Sequence, residues 1–176
     1  MAMKRVVSRK QRSNPCARKS VRSPWKVFTV PMPSLLKLQA CVRKESRKRK
    51  YLWEKFDAST SIANLDMTQE LRVLVEKCIQ KSGCSLGSDA GINYIKYRIR
   101  NGYSVEPHRD MEASKATILI YLQKSCEIKD TLCVQGRTVS GQRWKRRGVA
   151  FFNNALHSCR FEGSGTREIV SVFIDK

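Results

Sequence analysis

The sequence predicts a mainly β domain, an all-β barrel or sandwich with flanking helices. Two observations predict it. Five short β-type runs at regular spacing fill the chain after residue 91, and one strongly periodic helix precedes them. A third bounds it: 176 residues suffice for one domain with a real core and an appendage.

The elements follow in order. Residues 1–24 are basic and Ser-containing with few apolar side chains, a composition read as disordered. "PWKVFTVPMPSLL" (24–36) has short apolar pieces cut by three prolines and reads as an extended segment or edge strand on the domain surface. "KLQACVRKESRKRKYLWEKF" (37–56) reads as helix with a basic middle, which either faces solvent or meets phosphates or an import receptor. "DMTQELRVLVEKCIQKSG" (66–83) is the best helix. Thr68 or Asp66 caps it, Glu70 sits in its first turn, and Leu71, Val73, Leu74 and Cys78 form its apolar stripe. Lys77 and Lys81 favour its C-terminal end and Gly83 stops it. The β runs are 92–99, 116–123, 131–136, 148–154 and 167–175, separated by Gly, Asn, Ser and charged turns.

The formal charge of +20 is uneven: residues 1–50 hold sixteen Lys/Arg and one acidic residue, Glu45. That asymmetry divides the chain into a basic arm, 1–50, and a domain, 51–176. The arm is a candidate contact for nucleic acid or for a large assembly such as a ribosome or virion. Its composition fits a transit peptide, a nuclear import signal or a nucleic-acid-binding arm equally. Seven cysteines (16, 41, 78, 84, 126, 133, 159) form no CxxC pair. They read as reduced thiols in an intracellular protein, nuclear, cytoplasmic or mitochondrial, rather than as a structural zinc site. No apolar run reaches about 18 residues, so no membrane span is expected, and no apolar segment typical of a secretory signal follows the first basic residues.

The chain's two histidines carry the candidate chemistry. In "EPHRD" (106–110), His108 and Asp110 are two apart, so in extended backbone both side chains point the same way and Arg109 points elsewhere. His157, in "NNALHSCRF", is 47 residues further on. Two imidazoles and one carboxylate on one face of an octahedron leave three positions open, the arrangement that holds non-haem Fe(II). Those positions suit a bidentate 2-oxo acid and O2. Arg167, ten residues after His157, opens the last β run. Its guanidinium can neutralise the distal carboxylate of such an acid through a two-pronged contact. Ser171 shares its face, and Thr117, Leu119 and Tyr121 share a face of their own strand, with the Tyr121 phenol placed to donate to the same carboxylate.

Residues 91–175 resemble the Fe(II)/2-oxoglutarate-dependent dioxygenases, most closely the prolyl 4-hydroxylase-like branch. The resemblance lies in "NGYSVEPHRD", "KATILIYL", "RRGVAFFNN", His157 with Arg167 ten residues later, and Gly165 two before that arginine. It implies a double-stranded β-helix, a jelly-roll (cupin-like) barrel. It also implies His108, Asp110 and His157 as iron ligands, and Arg167 as the 2-oxoglutarate anchor with Tyr121, Ser171 and Thr117 beside it. Fe(II), 2-oxoglutarate, O2 and ascorbate as reductant follow. Where the family has a tyrosine nine or ten residues before its first metal histidine, this chain has Ile99 and Arg98. Tyr97, one step further off, is the candidate substitute. "IKDTLCV" replaces the family's Gly-Gly turn.

The resemblance implies hydroxylation of a protein or peptide side chain, prolyl by default. Two alternatives stand beside it. One is base demethylation of the alkylation-repair type, against which Phe173 occupies the position of a second arginine. The other is a basic-tailed binding protein that keeps the fold. "QRWKRRG" (142–148) is read as a solvated turn, or as a basic rim favouring an acidic substrate.

Overall fold

A computed structural model describes residues 23–48, 53–55, 58–110, 114–139, 141–152 and 154–175. The basic segment 1–22, with Cys16, lies outside them. Eleven strands and three helices alternate along the described residues. In order they are β1 (Trp25–Thr29), α1 (Met32–Lys48), β2 (Trp53–Lys55), β3 (Thr60–Leu65), α2 (Gln69–Ile79), β4 (Gly91–Ile99), β5 (Ser104–His108) and β6 (Ser114–Lys124). There follow β7 (Lys129–Val134), β8 (Arg137–Thr138), α3 (Gln142–Arg146), β9 (Arg147–Phe152), β10 (His157–Glu162) and β11 (Gly165–Asp175).

The strands make two antiparallel sheets. The larger has seven, in the order β1-β9-β6-β11-β4-β3-β2, and the smaller has four, β5-β10-β7-β8. This is the mainly β, jelly-roll architecture with flanking helices that the sequence predicts. Strand alternation builds its two layers. Ala116, Ile118, Ile120 and Leu122 of β6, with Val170, Val172 and Ile174 of β11, pack in one core with α1 and α2. The opposite face of the same strands presents Leu119, Tyr121 and Ile169 to a second core with Leu132 and Val134 of the smaller sheet. Arg167, Ser171 and Thr117 follow the parity of that inner face and are all buried. α1 and α2 therefore cover the outside of the large sheet and the small sheet closes its inside.

α2 forms as expected: the Thr68 hydroxyl accepts from the Leu71 amide at 3.3 Å, capping the helix. Its buried stripe is Leu71, Leu74, Val75, Cys78 and Ile79, while Val73, placed in the stripe by sequence, is 37% exposed. The i, i+3, i+4 spacing puts Val75 and Ile79 inward instead.

The arm is the larger correction. Residues 25–48, assigned to a basic arm on charge, are part of the domain. β1 pairs with β9 from Trp25↔Phe151 to Thr29↔Arg147, and Phe28, Val30, Leu35, Leu38, Cys41 and Val42 are all buried. α1 starts at Met32, inside the stretch expected to be extended. Pro33 is no obstacle there, because a first-turn residue has no intrahelical acceptor for its missing N–H. Net charge misleads because α1 buries Leu35, Leu38, Cys41 and Val42 along one face while its lysines and arginines lie off that face.

One of those basic residues fastens the helix. Arg43 donates to Glu168 Oε2 from Nε at 3.0 Å and Nη2 at 2.8 Å, and the Tyr94 hydroxyl donates to the same oxygen at 2.7 Å. Glu168 is outward-facing on β11, next to Arg167. Arg43→Ala is expected to cost about 1–2 kcal/mol, since charge-assisted bonds are stronger than neutral ones but this arginine is one-third exposed. A melting-temperature drop of roughly 2–8 °C by circular dichroism is the expected readout. No shift would mean that the contact is satisfied equally well by water.

Candidate metal centre

β5 and β10 are antiparallel neighbours, and their register sets His108 opposite His157. The imidazole centroids are 4.3 Å apart. The register slips between His157 and Cys159, a bulge of the kind that re-aims a side chain at a barrel rim. Asp110 follows the end of β5, with Oδ1 at 3.8 Å from His108 Nε2 and 3.7 Å from His157 Nε2. Arg109 points away, as strand alternation predicts, and donates to the Asn154 carbonyl at 2.5 Å. That bond ties the segment carrying Asp110 to the turn that leads into His157.

The protonation pattern follows from the backbone. His108 Nδ1 lies 2.8 Å from the Glu106 carbonyl and His157 Nδ1 lies 3.0 Å from the Ala155 carbonyl. A carbonyl only accepts, so both Nδ1 atoms carry a hydrogen, and in the neutral rings the lone pairs sit on the Nε2 atoms. These are the atoms facing Asp110. Burial also holds His157 below its ordinary pKa, toward the neutral form that ligates metals. Phe151 packs 4.7 Å from the His157 ring and steadies it.

The three ligand atoms lie within 4.8 Å of one another. Adjacent ligands of a divalent first-row metal, each about 2.1 Å from the ion, sit ~3 Å apart, so an ion needs to draw these atoms together by about an ångström each. Two imidazoles with fixed tautomers and a single carboxylate are the donor set of a facial Fe(II) site. The His108 side chain is 43% exposed and that of His157 is 7% exposed, so the cluster lies at a mouth of the barrel rather than in its middle.

Arg167 lies deeper. It is 2% exposed, and its Nη1 is 3.4 Å from Cys159 Sγ, two residues along β10 from His157. Rings of Tyr97, Phe161, Tyr121 and Trp144 surround its Cζ at 5.0, 5.1, 5.3 and 5.8 Å. Burial works against its charge, and the Asp130 carboxylate nearby favours it. Tyr97 and Tyr121 thus lie beside Arg167. The Tyr121 hydroxyl is buried without a hydrogen-bond partner, and burial pushes its pKa up, so it remains a donor. Ser171 and Thr117 line the same inner face further along their strands, buried at 3% and 4%.

Two residues beside Arg167 were not singled out by sequence. Asp130, in the altered "IKDTLCV" turn, has a side chain 1% exposed, and Arg143, in "QRWKRRG", is 1% exposed. Arg143 Nη2 is 3.1 Å from Asp130 Oδ2, Arg167 Nη1 is 3.7 Å from the same oxygen, and Trp144 Nε1 donates to Asp130 Oδ1 at 2.6 Å. The basic cluster is therefore no solvated turn: α3 turns Arg143 and Trp144 inward and leaves Lys145 and Arg146 exposed. The tryptophan within the cluster was the available signal.

No family model matches the chain, and no curated protein matches it by sequence. Among solved structures it is similar to a prolyl-4-hydroxylase from Pseudomonas putida, with a TM-score of 0.56 at 13% identity, over 87% of this chain and 92% of that one. It is also similar to a prolyl hydroxylase from Trichoplax adhaerens, solved with a hypoxia inducible factor oxygen degradation domain peptide fragment. There the TM-score is 0.55 at 12% identity, over 86% and 83% of the two chains. The chain thus has the double-stranded β-helix fold shared with these prolyl hydroxylases, and that fold sets two histidines and an aspartate together at one mouth of the barrel.

Proposed function

We propose that the protein is an Fe(II)- and 2-oxoglutarate-dependent dioxygenase that hydroxylates a protein side chain, with prolyl the first residue to test. The observation that carries this reading is the convergence of two Nε2 lone pairs and the Asp110 carboxylate on one point, with a buried guanidinium deeper in the same barrel. His108, Asp110 and His157 hold the metal. Arg167 receives the distal carboxylate of 2-oxoglutarate, with the Tyr121 hydroxyl as second donor. When bound, Fe(II) and 2-oxoglutarate supply the oxidising power: O2 is spent in converting the co-substrate to succinate and CO2 and in placing a hydroxyl on the substrate.

The chain's own groups do three things. The Glu106 and Ala155 carbonyls fix both imidazole tautomers, so neither ring has to reorganise to bind metal. The aromatic wall around Arg167 excludes water, which strengthens a carboxylate–guanidinium contact. The exposed side of His108 leaves the mouth open to a substrate as large as a peptide, and the peptide held by the Trichoplax adhaerens neighbour supports looking there first.

The test is direct. The full chain is incubated with Fe(II), ascorbate and 2-oxoglutarate, and proline-containing peptide pools and nucleic-acid pools are compared for stimulation of succinate release. Peptide stimulation with a mass gain of one oxygen on proline is expected. Stimulation by nucleic acid alone would replace the substrate class, and no succinate with any pool would remove the enzyme reading. Arg167→Ala is expected to raise the 2-oxoglutarate requirement by about thirtyfold to a few thousandfold, the equivalent of the ~2–5 kcal/mol for losing one partner of a buried charge pair. An unchanged requirement would take Arg167 out of the co-substrate site.

A further inference from the structure

The inner chamber holds more charge than a single anchor needs. Two guanidiniums, Arg143 and Arg167, are buried with one carboxylate, Asp130. One positive charge is therefore left without a fully buried counter-ion in an apolar, aromatic surround, where an unpaired charge is costly. Lys124, 26% exposed, lies 3.9 Å from Asp130 Oδ1 and adds to the positive side.

The geometry around Arg167 is specific. Four aromatic rings occupy the space about its Cζ. The polar groups found near its Nη1 are Cys159 Sγ and Asp130 Oδ2. At 3.7 Å, Asp130 Oδ2 is too far to make a good hydrogen bond, and both that oxygen and Arg167 Nε are buried without a hydrogen-bond partner. Arg143, by contrast, is closely engaged: besides its 3.1 Å approach to Asp130 Oδ2, it donates to the Asp130 carbonyl at 2.6 Å. Trp144 holds the other carboxylate oxygen.

From this we infer that Asp130 is a built-in competitor for Arg167, held beside it by Arg143 and Trp144. This rests on the co-substrate reading of Arg167 given above. A distal carboxylate arriving at Arg167 meets the Asp130 carboxylate on the same guanidinium. Two anions cannot share that guanidinium without repulsion, so entry costs Asp130 its long contact with Arg167 and leaves it on the Arg143 and Trp144 partners it already has. Asp130 thereby sets the affinity for the distal end of the co-substrate and discriminates among 2-oxo acids by what they carry there. α3, which supplies both holders of Asp130, is the element that keeps the competitor in place.

Calorimetric titration without turnover tests this. The full chain, loaded with Mn(II) under anaerobic conditions, is titrated with 2-oxoglutarate and with 2-oxobutyrate, which chelates through the same end but has no distal carboxylate. Asp130→Asn leaves two buried guanidiniums without a carboxylate and is exposed to misfolding. The double variant Asp130→Asn/Arg143→Gln keeps the chamber's charge and is the decisive one, with its fold checked by circular dichroism. It is expected to bind 2-oxoglutarate about tenfold tighter than the parent chain, as an anionic competitor is removed, and 2-oxobutyrate equally well. Unchanged or weaker 2-oxoglutarate binding in the folded double variant overturns the inference, as does an equal gain for both acids. If the parent chain binds 2-oxobutyrate and 2-oxoglutarate with the same affinity, and Arg167→Ala changes neither, the role of Arg167 itself fails and this inference falls with it.

Discussion

His108→Ala and Asp110→Ala are each expected to abolish co-substrate turnover, with succinate release falling by at least about a hundredfold. Removing even the hydrogen-bond partner of a metal ligand typically costs 10–100-fold, and removing the ligand costs more. The two remaining groups would leave a divalent ion with a pair of donors and a water-filled coordination sphere. The fold should survive both changes. The side chains of His108 and Asp110 are 43% and 17% exposed, and neither residue belongs to the apolar cores. Loss of activity should therefore come with a nearly unchanged melting temperature. His157→Ala is the informative contrast: that ring is buried against Phe151, so it should lose metal and some stability together. Fe(II) binding measured by titration, beside the melting curve, separates the two effects. A His108→Ala protein that still bound Fe(II) with parental affinity and released succinate would show that the three residues are not a metal site.

The sequence made parts of this site readable for identifiable reasons. The two-residue spacing of His108 and Asp110 puts them on one side of an extended segment, and although β5 ends at His108 the two groups still meet, Asp110 Oδ1 lying 3.8 Å from His108 Nε2. α2 was readable because its cap and its spacing agree. β10 was harder. Its residues alternate inward and outward perfectly, His157, Cys159 and Phe161 inside with Ser158, Arg160 and Glu162 outside or nearly so. None of the three inward residues is aliphatic, so the run does not look like a strand until its partner β5 is known. Arg143 and Asp130 were unreadable for a deeper reason. A buried ion pair is justified only by its partner, and these partners lie 13 residues apart in segments that look polar and turn-like. A local reading treats each as solvated. The same bias placed residues 25–48 in the arm, where a high density of lysine and arginine hid an amphipathic helix.

That last correction has a measurable consequence. A chain beginning at residue 51 lacks β1 and α1, and with them the buried side chains of Phe28, Val30, Leu35, Leu38 and Val42. At about 1.5–3 kcal/mol for each such side chain, the loss approaches or exceeds the ~5–15 kcal/mol by which domains of this kind are stable. The deletion also strips the β9 edge of its partner and bares the apolar face of α2 and of the large sheet. It is expected to yield an insoluble or non-cooperatively melting protein without co-substrate turnover. Deleting residues 1–22 instead removes no described strand or helix, and the remaining chain is expected to melt cooperatively and to bind metal as the full chain does. The pair of deletions separates charge from architecture. If residues 51–176 melted cooperatively within a few degrees of the full chain, the packing of β1 and α1 would contribute nothing to stability. The basic segment would then be an arm throughout its length, and Arg43 would be no more than one of its surface charges.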